Sequence, residues 1–321
     1  MSNDVLICLI APRQWDRASA GLAGAGQRLA AELGGAVHAL VVAPASPGIA
    51  EELARLADSV AVVEAVQPLD PEPLLATAAG FARDLAARAV LLGNDAASQE
   101  LTPRLAARLG GSPMSDGAAV TFADGRIQVT RAVYGGKAVA TYALGRTPAV
   151  IWLRARAQAP GVPATSPGGV RTIPTIEPKA AFPRVVERFE EPAEGIPLEE
   201  ARVVVAGGRG IGGAEGFREL AALAGVMEAA LGCSRPACDE GWTPVSWQVG
   251  QTGKRVAPDL YLAVAISGAS QHILGMADSR VVAAINTDPQ AAIFAHASFG
   301  IVEDYRKVVP ALVARLAERR R

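Results

Sequence analysis

Apolar residues fall into short unbroken runs separated by longer amphipathic stretches. Val5 to Ile10, Val37 to Val42, Val60 to Val63 and Ala89 to Leu92 are such runs, suited to strands buried on both faces. Ala18 to Leu33 carries alanine and leucine at helical spacing and can stop at Gly34-Gly35. Glu51 to Ala57 and Pro73 to Ala87 read as further helices. After Gly93-Asn94-Asp95 comes another, Gln99 to Leu109, with arginine and leucine on opposite faces. Strands alternating with helices predict a parallel sheet with helices on both faces. From Ala118 to Trp152 the runs become short and β-rich, broken at Asp124-Gly125, a hairpin signal, and at Gly135-Gly136.

Pro160 to Pro197 is rich in proline and glycine, with an acidic run at Glu187 to Glu194. Such a stretch suits a linker or an extended surface connection. It places a domain boundary near Gly195, dividing residues 1–195 from residues 196–321. The α/β alternation then restarts: strand Arg202 to Ala206, helix Glu215 to Leu231, strands Leu260 to Ile266 and Val281 to Ile285. A terminal helix, Lys307 to Arg319, ends in basic residues that suit its negative end. The expected fold is α/β in two domains: an N-terminal parallel-sheet domain with a β-rich segment, and a C-terminal doubly wound domain.

At 321 residues, 50% hydrophobic and 20% charged, the chain can bury two cores. A net charge of −1 argues against nucleic acid, which calls for a basic face. No apolar run approaches the roughly 18 residues of a membrane span, and Met1 to Asp4 does not open a secretory leader. Three cysteines do not make a disulfide framework, and no zinc-ligand set accompanies them. Cys233 and Cys238 read as packed thiols. The expectation is a soluble cytoplasmic protein without a bound metal.

Polar chemistry concentrates between Gly232 and Asn286. Ser234-Arg235, then Gln248-Val249-Gly250-Gln251-Thr252-Gly253, then Ser267-Gly268-Ala269-Ser270-Gln271-His272 place small residues and single hydrogen-bonding side chains between apolar runs. A backbone comes close to a polar ligand in this way. Taken one by one the signals are ordinary. Arg235 suits a surface ion pair with Asp239 or Glu240, and Thr252 a turn. His272 suits a structural contact where a strand gives way to a helix, although its ring could donate to a ligand oxygen. His296 is expected to pack against the sheet, and Trp242 and Trp247 to fill a gap under the loop. Gly208-Arg209-Gly210-Ile211-Gly212-Gly213 fits G-x-G-x-x-G, but no acid stands at a strand end about 20 residues on, as a nicotinamide site requires, so it reads as a phosphate-facing or merely tight turn.

Together these runs resemble a family. Leu260-Tyr261-Leu262-Ala263-Val264-Ala265-Ile266-Ser267-Gly268-Ala269-Ser270-Gln271-His272, then Gly275 and Ala284-Ile285-Asn286, resemble the signature of the electron transfer flavoprotein alpha subunit. Ser234-Arg235, Gly241-Trp242, Gln248 to Lys254, Asp288-Pro289 and Gly300-Ile301-Val302 extend the likeness. Pro103 to Ala107 and Tyr134-Gly135-Gly136 carry it more loosely into the first half.

The resemblance implies one FAD, held mainly by the C-terminal domain, and a heterodimer with a beta subunit that docks on residues 1–195. It implies an electron carrier without a substrate of its own, between flavin dehydrogenases and a quinone reductase or other acceptor. On that reading Arg235 lies against the isoalloxazine, Thr252 at its N5 edge and His272 at the pyrimidine carbonyl. Ser234, Gln251, Ser267 and Gln271 hold the ribityl chain and diphosphate, helped by backbone N–H groups where a helix opens at Ser270. Asn286 and Asp304 serve the adenosine end, and Gln248, Gly250, Gly253, Gly268 and Ala269 shape the loops. The chain departs from the family at Ala265, where glycine is usual, and at Ser270, Ser298 and Glu303. Two rival readings are an NAD-dependent dehydrogenase subunit and a non-redox interaction subunit that has lost flavin.

Overall fold

The computed structural model describes residues 2–12, 14–42, 48–63, 70–93, 95–134, 136–178, 181–187 and 195–319. The chain divides into two compact units, Met1–Val133 with Ala138–Phe189, and Tyr134–Lys137 with Glu190–Arg321.

In the first unit the four predicted apolar runs are strands β1 (Val5–Ile10), β2 (Val37–Val42), β3 (Ser59–Val63) and β4 (Ala89–Leu92). Helix α1 (Arg17–Leu33) follows β1, α2 (Ile49–Ala54) follows β2, and α3 (Pro71–Asp84) and α4 (Ala96–Leu109) flank β4. Strand alternation decides what each helix covers. Val5, Ile7 and Leu9 share a core with Leu22 and Leu29 of α1. Leu6 and Cys8 share the opposite core with Leu74 of α3 and Leu101 and Leu105 of α4. Asp16 caps α1 by accepting from the Ser19 N–H at 2.8 Å, and Asp95 caps α4 through Ser98 N–H at 2.8 Å.

The β-rich segment contributes to two sheets. β6 (Ala119–Ala123), β7 (Arg126–Val133) and β8 (Ala138–Ala143) form an antiparallel meander whose first turn is the predicted Asp124-Gly125. β5 (Ser112–Gly117) and β9 (Ala149–Leu153) instead join the parallel sheet beyond β4. A buried ion pair locks them: Arg154 Nε and Nη2 donate to Asp116 Oδ1 and Oδ2 at 2.8 and 3.0 Å.

The predicted linker is partly built into this unit. Gly169–Ile173 forms β10, paired in parallel with β3, so the sheet order is β10-β3-β2-β1-β4-β9-β5. Its exposed edge position lets polar residues alternate in it, and its prolines and glycines flank it, which hid a five-residue strand. Of the acidic run Glu187 to Glu194, all beyond Glu187 lies outside the described residues, as do Asn94 and Gly135 of the predicted turns.

The second unit is a five-stranded parallel sheet of β11 (Val203–Gly207), β12 (Ala230–Cys233), β13 (Leu260–Val264), β14 (Val281–Asn286) and β15 (Phe299–Val302), in the order β12-β11-β13-β14-β15. Helices α5 (Ala214–Met227) and α8 (Tyr305–Arg319) cover one face, and α7 (Ser270–Met276) lies over the other. A short helix, α6 (Arg235–Asp239), follows β12. The helix expected to run to Leu231 stops at Met227, where Glu228 turns left-handed (φ 49°) and its N–H caps the Ala224 and Gly225 carbonyls. Ala230-Leu231-Gly232-Cys233 holds no β-branched residue, so the helical pattern masked β12. His296 is also corrected. It is exposed at the end of the 3₁₀ turn Ala292–His296, and Ile293 goes inward in its place. Trp242 and Trp247 pack half-buried against the core under α5 and α8.

Candidate functional site

β11 leads through α5 to β12 on one side, and the chain then returns to β13 on the other side of β11. This reversal between β11 and β13 is a topological switch point, where loops leaving the carboxyl ends of the strands part and leave a crevice. A cavity of about 590 Å³ opens there. Arg209 and Gly210 line it after β11, Ser234 and Arg235 after β12, Ile266 and Ser267 after β13, and Asn286 and Asp288 after β14. The loop Gln248 to Thr252 and α7, through Gln271 and His272, close its sides.

Close backbone approach shapes the crevice. A side chain at Gly208 would strike the Ala265 carbonyl, and one at Gly268 (φ 88°) the Ile293 backbone. Ala265 itself is left-handed (φ 54°), its N–H held by the Ile285 carbonyl at 2.8 Å. A Cβ in that conformation costs on the order of 1–2 kcal/mol, so a glycine is the residue that geometry favours.

Some polar side chains are held by the protein. Gln248 Nε2 donates to Thr252 Oγ1 at 2.9 Å, and Asn286 Nδ2 to the Ile266 carbonyl at 2.9 Å. Other groups are left open. Helix α7 begins at Ala269, on the cavity, with no side-chain cap, so its first turn keeps N–H groups without a side-chain partner. Arg235 Nε lies 3.4 Å from Asp239 Oδ2, with both side chains about two-thirds exposed (64% and 63%). The expected surface ion pair therefore forms on the rim of the cavity, and so exposed a pair yields readily to another anion.

His272 is, with Ser234 and Gln248, a buried polar residue of the site. Its Nε2 meets the Tyr261 hydroxyl at 2.9 Å, and its Nδ1 has no hydrogen-bond partner. Burial lowers its pKa to about 4, partly offset by the Val249 backbone, so the ring is neutral at pH 7. Behind the cavity wall, Cys233 and Cys238 are buried with sulfurs 2.9 Å apart, and Thr243 donates to Cys233 Sγ at 3.1 Å. Burial pushes the Cys233 thiol up, which keeps it protonated and inert. Among the described residues, no group of three or more His, Cys, Asp or Glu could hold a metal ion.

Arg209, Arg235 and the hydrogen-bonding side chains and backbone of these loops suit a polar, anionic ligand. That is the donor set a flavin dinucleotide asks for. Comparison with known proteins agrees. Residues 197–277 match the family model described as the electron transfer flavoprotein FAD-binding domain, and residues 11–181 match the electron transfer flavoprotein domain. The electron transfer flavoprotein subunit alpha of Bacillus subtilis is 38% identical over 288 residues, covering 87% of this chain and 86% of that one. The Paracoccus denitrificans subunit alpha is 39% identical, covering 88% and 91%. Protein FixB of Clostridium saccharobutylicum is 33% identical, covering 94% and 92%.

The chain belongs to the electron transfer flavoprotein alpha subunit family.

The flavoprotein's FAD-binding domain match falls within residues 197–277 of the second unit, and FAD is its cofactor. Most residues expected at the site converge on the one cavity: Ser234 and Arg235; Gln248, Gly250, Gln251 and Thr252; Ser267, Ala269, Gln271 and His272; and Asn286. Four do not line it. Gly253 sits behind the loop, where a side chain would strike the Gln248 carbonyl. Gly268 forms the turn before α7, and Ser270 is the first residue of that helix. Asp304 Oδ1 accepts from the Arg306 N–H at 2.9 Å and so helps start α8.

Arg209 and Gly210 were not placed with these residues, although the glycine-rich turn they belong to read as phosphate-facing or merely tight; it faces the same crevice as the other segments. The strand after α5 ends at Cys233-Ser234 and supplies no acid for a ribose, so the turn does not complete a nicotinamide site. The signal that would have found Arg209 is strand adjacency, because β11 and β13 are neighbours.

Proposed function

We propose that this chain is the flavin-carrying half of a heterodimer with an electron transfer flavoprotein beta subunit. It passes electrons from flavin dehydrogenases to a quinone reductase or another acceptor. The observation that carries this is the convergence of the Ser234-Arg235, Gln248–Thr252 and Ser267–His272 segments on one cavity at the β11/β13 switch point. FAD supplies reversible acceptance of one or two electrons when bound.

The chain's own residues bind and tune. The Arg235 guanidinium, on the rim, favours added negative charge on a ring beside it. The Thr252 hydroxyl presents a hydrogen-bonding group along the cavity, and the His272 side chain forms part of its wall. Ser234, Gln251, Ser267 and Gln271 hold the polar chain and phosphates, and Arg209 adds a second positive charge to that stretch. Asn286, fixed by Ile266, lies toward the nucleoside end. Residues 1–195 form the docking part and residues 196–321 the flavin part.

Co-purification of the full chain with its beta partner tests the reading. The expected result is a yellow complex with about one FAD per heterodimer that is reduced by a flavin dehydrogenase. A colourless heterodimer that takes up no added FAD would overturn it in favour of a non-redox subunit.

A further inference from the structure

The glycine-rich turn after β11 carries Arg209 to the cavity, yet little in the turn itself holds it still. Four of its six residues, Gly208, Gly210, Gly212 and Gly213, are glycines, which lose the most freedom when ordered. α5 starts at Gly213 without a side-chain cap. In the 3₁₀ turn Arg209–Ile211, the Ile211 N–H reaches the Gly208 carbonyl at 3.1 Å, and the Gly212 N–H reaches the Arg209 carbonyl at 3.2 Å. Both bonds sit at the long end of the usual range of about 2.7–3.2 Å.

Support comes from α8. Tyr305, its first residue, is buried, and its hydroxyl donates to the Ile211 carbonyl at 2.9 Å across 94 positions of sequence. Gly216, in the first turn of α5, makes room for that contact. A Cβ there would lie 2.5 Å from the tyrosine oxygen and 2.5 Å from Ile211 Cγ2. The ring is held in its own right: it shares a core with Ile211 and Phe217, and the Arg306 guanidinium lies over it, 5.1 Å from the centroid. A buried carbonyl costs free energy when it has no donor, so the hydroxyl selects the turn shape that presents the Ile211 oxygen. Ile211 is two residues from Arg209, and fixing its peptide plane fixes the turn from which the arginine leaves.

We propose that Tyr305 is a positioning residue of the cofactor site: by holding the Ile211 carbonyl it sets the glycine-rich turn, so that Arg209 offers its charge to the anionic part of FAD without reordering. This rests on the flavin reading above. A charge placed in advance spares the ordering cost that a mobile side chain pays on binding. α8 thereby serves the site although none of its described residues lines the cavity.

The test uses the full chain with its beta subunit, stripped of FAD and titrated with FAD at low and high salt. Parent affinity should fall with salt, because part of the attraction is between charges. Arg209→Gln should weaken binding about tenfold at low salt and flatten the salt dependence. Tyr305→Phe, which keeps the ring and removes only the oxygen, should weaken binding about fivefold and flatten the salt dependence in the same sense. In the Arg209→Gln background it should cost little more, because the hydroxyl acts through the arginine. Gly216→Ala, which displaces the hydroxyl from the other side, should reproduce the Tyr305→Phe result and decides the matter should that variant fail to fold. A Tyr305→Phe protein that loses urea stability but keeps the parent's affinity and salt dependence overturns the proposal, as does a further fivefold loss in the double variant. A parent that takes up no FAD overturns the flavin reading and this proposal with it, whereas a parent that binds FAD beside an identical Tyr305→Phe overturns the proposal alone.

Discussion

Both units are parallel sheets wound on both faces, and both reverse direction mid-sheet, at β1/β4 and at β11/β13. They differ in how the helices after those strands begin. In the first unit Asp16 closes the start of α1 and also pairs with Arg156 at 2.8 Å, and Asp95 closes the start of α4. In the second, α5 and α7 start without a side-chain cap, as α2 and α3 do away from the first unit's switch point. A carboxylate at a helix start satisfies the free N–H groups and repels anions; an empty start leaves both the donors and the positive end of the dipole for a ligand. At its switch point the first unit thus closes its helix starts with its own carboxylates, and the second leaves the start of α7 open on the crevice.

The largest expected effect tests the scaffold. Asp116→Ala leaves Arg154 buried without its carboxylate, which typically costs roughly 3–5 kcal/mol. Urea unfolding should show that loss in the first unit while the FAD dissociation constant stays within twofold. A parallel loss of flavin affinity would mean that the two units are not energetically separate.

His272 gives the second unit a pH dependence of its own. Its folded pKa of about 4 lies below the ordinary 6.5, so between these values the unfolded chain binds more protons than the folded one. Stability is full above pH 6.5 and is lost as pH falls toward 4, by about 3 kcal/mol at about 1.36 kcal/mol per pKa unit. His272→Gln should flatten that part of the stability–pH curve for the flavin-free chain. Equal curves for parent and variant would remove the histidine from the account.

Arg235→Ala should keep FAD but lower its reduction potential by about 60 mV, the equivalent of one tenfold step for one electron. Because the guanidinium is exposed, the difference should shrink at high salt. A redox titration showing the parent's potential would confine Arg235 to its pairing with Asp239.

The smallest effect concerns Ala265. Relief of its left-handed Cβ in Ala265→Gly should raise the urea stability of the second unit by about 1 kcal/mol. No gain would mean that contacts of this methyl in the cavity wall offset the strain.

Much of this was legible in the residues. The runs at Val5, Val37, Ala89 and Leu260 became strands because unbroken apolar stretches need cover on both faces. The three polar segments that line the cavity were marked by small residues beside hydrogen-bonding side chains. The misses share one physical origin, elements whose form comes from distant neighbours. β12 is short and lacks β-branched residues, β10 is short and set among prolines and glycines, and each exists because an adjacent strand offers a ladder, β11 for one and β3 for the other. His296 lies in an apolar run but ends a 3₁₀ turn that rotates it into solvent.

Local spacing and side-chain size determined most of the stretches that are strands and helices, and they placed Arg235, Thr252 and His272 in segments beyond strand ends. Those are short-range properties, written in residues a few positions apart. Strand order was decided only in the folded chain, and with it came the crevice between β11 and β13, the arrival of Arg209 in that crevice and the contact of Tyr261 with His272. Each joins residues distant in sequence, and the contacts exist because the sheet's hydrogen bonds and the cores on its two faces are satisfied together.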